Sequence, residues 1–129
     1  MSNMAEGFGR GTQGEFILFL GYALGSLDET QSHLCAAYDR GYLDEEEFAR
    51  LFREGTTIRK LTVAFIRSMV MTRGGVKTLG KRVSWSEQVW EIYERVTGER
   101  RPERFRTAEA AEEVVPRNDE PPVRKVAPR

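Results

Sequence analysis

Apolar positions recur along this chain with the period of a helix. Between Thr12 and Gly41, the residues Phe16, Leu20, Ala23, Leu27, Leu34 and Tyr38 fall at spacings of three, four or seven. Ile17, Leu24 and Cys35 widen the same stripe. Thr12 followed by Glu15 is a capping box, in which each side chain satisfies an otherwise unpaired backbone N–H. Gly41 is placed as the left-handed glycine beyond the last turn. The pattern predicts one amphipathic helix over about residues 12–40, roughly 40 Å long at about 1.5 Å per residue. Gly14, Gly21 and Gly25 lie inside it, each costing up to about 1 kcal/mol against alanine. Gly21, Gly25 and Ser26 are the places where another helix would approach closely.

A second helical pattern follows after Gly41-Tyr42-Leu43. Asp44 with Glu47 makes a second capping box, and Phe48, Leu51, Phe52, Ile58, Leu61, Thr62, Phe65 and Met69 share one face. Its acids lie in the first turn and its bases in the last half, as the helix dipole favours. A connection this short predicts an antiparallel αα-hairpin of helices over about 12–40 and 44–72. Arg73-Gly74-Gly75 ends or breaks the second helix, and Val76 to Arg82 reads as a basic linker. Ser84 with Glu87 predicts a third capping box, opening a shorter helix over about 85–97 with Val89, Trp90, Ile92, Tyr93 and Val96, closed by Gly98. Upstream, Ser2 to Gly7 reads either as a frayed start or as the tail of a helix. The expected fold is all-α, an antiparallel helical bundle over residues 1–97. Residues 98–129, rich in Arg, Glu and Pro, are expected to be disordered, with only Thr107 to Val115 able to form a transient helix.

Charge changes this picture. The 129 residues sum to zero net charge, but the acids and bases are segregated. From Leu27 to Gly55 there are eight acids against three arginines, and from Thr56 to Arg82 seven bases and no acid. The basic set is Arg59, Lys60, Arg67, Arg73, Lys77, Lys81 and Arg82, a candidate nucleic-acid-binding surface by phosphate contact, with Arg100, Arg101, Arg104 and Arg106 beyond it. The competing reading is a solvated helix end that complements the acidic half of a neighbour. A single cysteine excludes an internal disulfide. The start lacks the pattern of a signal peptide, and no apolar run reaches the ~20 residues of a membrane span, so the expected location is cytoplasmic and without membrane partners.

No catalytic chemistry is expected. His33 and Cys35 point to different sides of a helix and, with Asp39, fall short of a metal's ligand count; Cys35 is expected in the core and His33 on a polar flank. Gly7-Phe8-Gly9-Arg10-Gly11 precedes a helix but lacks the lysine and spacing of a phosphate loop, and is expected to be an inter-helix turn. Trp85, Trp90 and Tyr93 offer base-stacking surfaces, yet the spacing of the last two favours a core. Asp44 to Glu47 are what any helix start favours. No nucleophile–base pair or cofactor-binding set converges on one face, so the chain is read as a non-enzyme without cofactors or metal.

The run Ser2-Asn3-Met4-Ala5-Glu6-Gly7-Phe8-Gly9-Arg10, with Glu15-Phe16-Ile17-Leu18-Phe19-Leu20 and Ala23-Leu24-Gly25-Ser26-Leu27, resembles the four-helix bundle proteins also called 23S rRNA intervening-sequence proteins. The likeness continues through Gly41-Tyr42-Leu43, Glu45-Glu46-Glu47, Ile58-Arg59-Lys60 and Ile66-Arg67-Ser68, over about residues 2–70. It implies an up-down bundle that assembles as a homo-oligomer, often a pentamer. One branch of the family, the accessory proteins of diversity-generating retroelements, binds a reverse transcriptase and nucleic acid through a basic surface. The resemblance thus implies RNA or DNA, or a nucleic-acid enzyme, as partner, and carries over no catalytic residue. Family members place a first helix and most of a second before the "SN-x-AEG" string. The chain is therefore read as starting internally, as a truncated copy, or as using its Trp85 to Thr97 helix to fill part of the gap.

A hairpin with one short helix leaves apolar faces bare. Self-association is expected, through Phe16, Phe19, Leu20, Leu24 and Leu27 of the long helix. The expected function is a homo-oligomeric scaffold or adaptor. The alternative is a nucleic-acid-binding module that reads phosphate through residues 59–82 without sequence specificity.

Overall fold

The computed structural model describes residues 2–72 and 75–106. Four helices make up its frame: α1 (Ser2–Gly9), α2 (Gln13–Asp39), α3 (Glu45–Met71) and α4 (Glu87–Thr97). Ser2 to Gly9 is helical rather than frayed. α1 folds back along α2 through the turn at Arg10 to Thr12, bringing Asn3 beside Ser26 and setting Phe8 edge-on to Phe16 with ring centroids 5.7 Å apart.

Both hairpin caps form. The Glu15 amide donates to Thr12 Oγ1 at 3.1 Å and the Glu47 amide to Asp44 Oδ1 at 2.8 Å. In the first box the glutamate accepts from the Thr12 hydroxyl (3.2 Å). α2 stops at a Schellman motif: the Gly41 amide donates to the Tyr38 carbonyl and the Tyr42 amide to that of Ala37, both at 2.9 Å. The third box does not form as expected. Ser86, not Ser84, caps α4, with the Val89 amide 3.4 Å from its hydroxyl. Ser84 is committed elsewhere, since its carbonyl lies over Gly14, where a Cβ would stand 1.8 Å from the oxygen. That approach lets residues 83–86 cross α2 and deliver α4 onto the hairpin.

The core is Phe16, Ile17, Leu20 and Leu24 of α2, Ile66, Met69 and Val70 of α3, and Val89, Trp90, Ile92 and Tyr93 of α4. Ile92 seats on Gly21, so one of the expected close approaches is made by α4. This corrects the expected self-association surface. Phe16, Leu20 and Leu24 are buried inside the chain, Phe16 with Phe8 of α1 and Phe65 of α3 edge-on to it, while Phe19 and Leu27 are half-buried.

The segment before α4 is more than a linker. Gln13, 1 % exposed, uses its carboxamide like a strand backbone: Nε2 donates to the Val76 carbonyl (3.1 Å) and Oε1 accepts from the Val76 amide (3.0 Å). Its own amide donates to the Arg82 carbonyl at 2.9 Å, closing an isolated parallel bridge between Thr12 and Arg82.

Past α4 the chain stays folded to Arg106, which corrects the expectation of disorder from residue 98. Phe105 lies 4.9 Å from Trp90 and 6.5 Å from Trp85, centroid to centroid. Arg101 ion-pairs with Glu87 and stands 5.1 Å over the Trp90 ring. Apolar and ionic contact with α4 holds what composition alone did not. Residues 107–129, with the Thr107 to Val115 expectation, lie outside the described residues.

Beyond α1 and α4 the α2–α3 hairpin continues as a two-helix arm. No apolar side chain between Leu24 and Ile66 is fully buried. Leu27, Leu34, Phe48, Leu51 and Phe52 are half-buried along its seam, Tyr38 stacks on Phe48 at 4.7 Å, and Gln31 reaches the Phe52 carbonyl at 3.2 Å. Cys35 is exposed on this arm, against the expectation of a core position, because nothing packs over its side of α2.

Candidate nucleic-acid interface

A helix leaves its last carbonyls unpaired and partly negative, so a cation brought to that end is stabilised there. Neither α1 nor α3 has a basic residue in its own last turn. Residues distant in sequence supply the cations. Lys81 Nζ donates to the Arg10 carbonyl just past α1 at 2.7 Å. Arg104 donates to the Val70 and Met71 carbonyls at the end of α3, at 3.3 and 3.1 Å. Arg67 donates to the Thr97 carbonyl closing α4 at 3.1 Å, with its Nε 3.1 Å from Glu99 Oε1. Two bases from the basic half of the chain, Arg67 and Lys81, and one from beyond it, Arg104, thus close three helix C-termini.

The seven candidate residues are therefore not gathered on one surface. Arg67 and Lys81 make the helix-end contacts just described, and Lys81 also lies 4.9 Å over the Phe8 ring. Arg59 pairs with Asp28 of α2 at 3.0 Å. Lys60, Lys77 and Arg82 have no side-chain hydrogen bond or ion pair among the described residues. Arg73 lies outside the described residues. Lys60 sits where the arm begins, whereas Lys77 and Arg82 lie beyond the far end of α3, roughly 17 Å along the helix at about 1.5 Å per residue.

A groove of about 540 Å³ opens between the start of α1, the middle of α2 and the end of α4. Arg59 and Arg95 line it, but so do Asp28 and Glu29, so its charge is balanced rather than phosphate-attracting. Trp90 and Tyr93 are in the core, with ring centroids 5.9 Å apart, and Trp85 is half-buried against them. The Tyr93 hydroxyl donates to Glu99 at 2.8 Å. Burial, helped by this bond, pushes its pKa up to about 12. The Arg101 guanidinium hydrogen-bonded to Glu87 holds that carboxyl below its usual range.

Among the described residues no group of three or more His, Cys, Asp or Glu could hold a metal ion, and His33 and Cys35 are both exposed. None of the described helices is long and apolar enough to cross a membrane. The sequence reading named Arg104 only as a further candidate for phosphate contact, not as a partner of the end of α3, and it missed Gln13. The absence of a base in the last turns of α1 and α3 was a visible signal for the first, and nothing in the pattern marked the second.

Residues 1–64, spanning α1, α2 and most of α3, match the family model described as 23S rRNA-intervening sequence protein. No curated protein and no solved structure matches the chain.

Proposed function

Through residues 1–64 the chain belongs to the 23S rRNA-intervening sequence protein family, and from that membership we propose that it is a homo-oligomeric, non-catalytic helical scaffold. The observation that carries this reading is the bare arm. Ile58 and Leu61, 49 % and 67 % exposed, neighbour one another on α3 where neither α1 nor α4 covers the hairpin. Aliphatic side chains so placed are stabilised by a second protein surface. The arrangement of the bases supports a structural use for the basic half, which favours the scaffold over direct nucleic-acid binding. RNA or a nucleic-acid enzyme remains the partner class suggested by the family. Light scattering across a concentration range tests the reading: a discrete assembly is expected, and a monomer at every concentration would refute it.

The exposed cations Lys60, Lys77 and Arg82 support a second, weaker reading as a phosphate-contacting module. If these three alone met single-stranded RNA, log K would fall with log salt at a slope of about −2. Retention of that slope after all three become Gln would exclude them as the contact.

A further inference from the structure

We infer that Trp85 and Trp90 wall a slot for an aromatic side chain, which Phe105 fills from within the chain and which an arginine-bearing, aromatic segment of another protein fills in its place. The walls stand without Phe105. Trp90 is 3 % exposed and packs edge-on to Tyr93 in the core, ring centroids 5.9 Å apart. Trp85 lies 5.9 Å from Trp90 and is set between Ser84, whose carbonyl lies over Gly14, and Ser86, which caps α4. Phe105 comes to them on a separate piece of chain. α4 ends at the left-handed Gly98, and residues 99–106 run back along it to a short 3-10 turn, Glu103–Phe105. Arg104 on the end of α3 and Arg101 on Glu87 and Glu94 fasten this piece. The Glu87 side chain is 78 % exposed, and pairs so exposed contribute little. One half-buried ring and such contacts give way at far smaller cost than α4, which carries four core residues.

The contacts of that piece state the chemistry of what replaces it. Arg101 ion-pairs with Glu87, stands over the Trp90 ring, and gives its backbone amide to Glu94 at 2.7 Å. Phe105, four residues on, fills the slot. Glu87, Glu91 and Glu94 succeed one another on α4 at spacings of four and three, all exposed, so lifting the piece bares an acidic stripe beside an aromatic slot. A segment with an arginine and, four residues on, an aromatic ring satisfies both, and these are the side chains that anchor protein interfaces. An acidic segment, or a nucleic acid, would meet the stripe with like charge. Phe105 also leaves one wall group wanting: Trp85 Nε1 is enclosed and has no hydrogen-bond partner among the described residues. A buried donor without an acceptor is destabilising. A phenyl ring brings no lone pair to it, whereas a tyrosine hydroxyl or a backbone carbonyl of an incoming segment does. The slot lies within one chain, so this inference goes beyond the scaffold reading.

Trp85 and Trp90 are the only tryptophans of the chain, so tryptophan emission reads the slot directly. In the full chain carrying Phe105→Ala, emission should shift to the red while the helical circular dichroism is kept. Two short peptides are then titrated into it. One is residues 98–106; the other is built of alanine and lysine and keeps only an arginine and, four residues on, a phenylalanine. Both should reverse the shift saturably, and the same peptides with alanine for phenylalanine should not. Wild type should need about tenfold more of either peptide, or beyond, because a site filled from within is open only for the fraction of time it stands empty. Arg104→Gln frees the turn from α3 and leaves walls and ring intact; it is the second variant, in case Phe105→Ala disturbs the fold, and it should respond at lower peptide concentration than wild type. Emission that neither peptide changes in either variant overturns the slot. A response to residues 98–106 alone overturns the docking of a foreign segment, since the slot then fits only the chain's own piece. Both results leave the scaffold reading standing, which the solution mass decides.

Discussion

The two ends of the α2–α3 hairpin are built from the same two helices and reach different states of burial. At the closed end, α1 and α4 join the hairpin, and Ile17, Ile66, Met69 and Val70 are fully shielded. Along the arm, Leu27, Leu34, Leu51 and Phe52 come from an equally apolar stripe, yet two helices can shield only the strip between them. Amphipathic periodicity thus states that a face is to be covered, and the number of layers decides whether it is. The polar residues differ too, although on the arm Gln31 also reaches across to the Phe52 carbonyl. At the closed end Gln13, Arg67, Lys81 and Arg104 bind backbone groups of distant segments, whereas the arm's Arg50 and Glu54 pair with each other one turn apart, 2.9 Å between charged atoms and more than half exposed. Such an exposed pair contributes little to stability.

The comparison breaks most readily at Gly14. A methyl there would meet the Ser84 carbonyl at 1.8 Å and the Val89 side chain at 3.2 Å, and backbone cannot move aside as a flexible side chain can. Gly14→Ala is expected to displace residues 83–86 and with them α4, destabilising the closed end by about 3 kcal/mol or more, at or beyond the upper end of ordinary overpacking. Thermal unfolding measures it. A variant within about 1 kcal/mol of wild type would mean that α4 is not seated on α2 as described. Gln13→Leu comes next. It keeps the bulk but strips both bonds from Val76 and leaves that residue's amide and carbonyl unpaired, so a loss of about 2 kcal/mol is expected in urea unfolding.

How much of this was legible in the sequence follows the same division. The hairpin was, because its signals are local: Thr12, Asp44 and Gly41 mark ends, and the spacing of Phe16, Leu20 and Leu24 marks a face. The cover over that face was not, because it depends on where a later segment lands. Ser84 and Ser86 are two residues apart and both suit a cap; only the fit of the Ser84 carbonyl over Gly14 chooses between them. The basic run was legible as charge and not as use, since the helix-end contacts of Arg67 and Lys81 join residues 30 and 71 positions apart. Phe105 sits among prolines and arginines in the sequence and gains its place only from Trp85 and Trp90.

A third prediction concerns pH and sharpens the account of the closed end. Tyr93 titrates near 12 in the fold and near 10 when unfolded, so the fold prefers the neutral phenol. Its contribution is complete below pH 10 and declines as pH rises from 10 towards 12. Urea unfolding followed across that window should show a falling midpoint, and Tyr93→Phe should flatten part of the fall. An equally steep decline in Tyr93→Phe would assign the alkaline sensitivity to other groups.

The smallest expected effect has the opposite sign. Gly25 lies on the same side of α2 as Gly21, one turn further along, but a Cβ added there meets nothing within 4 Å, whereas at Gly21 it would stand 2.7 Å from Ile92. α4 therefore fills the space above one glycine and stops short of the other. Gly25→Ala then removes only the conformational freedom that glycine has in the unfolded chain and is expected to stabilise by up to about 1 kcal/mol. Gly21→Ala should destabilise, because Ile92 must shift within a packed core. Thermal unfolding of the pair reads the boundary between the closed end and the arm from one helical turn. If Gly25→Ala were also destabilising, that boundary would lie further along the hairpin, with a second surface resting on Gly25.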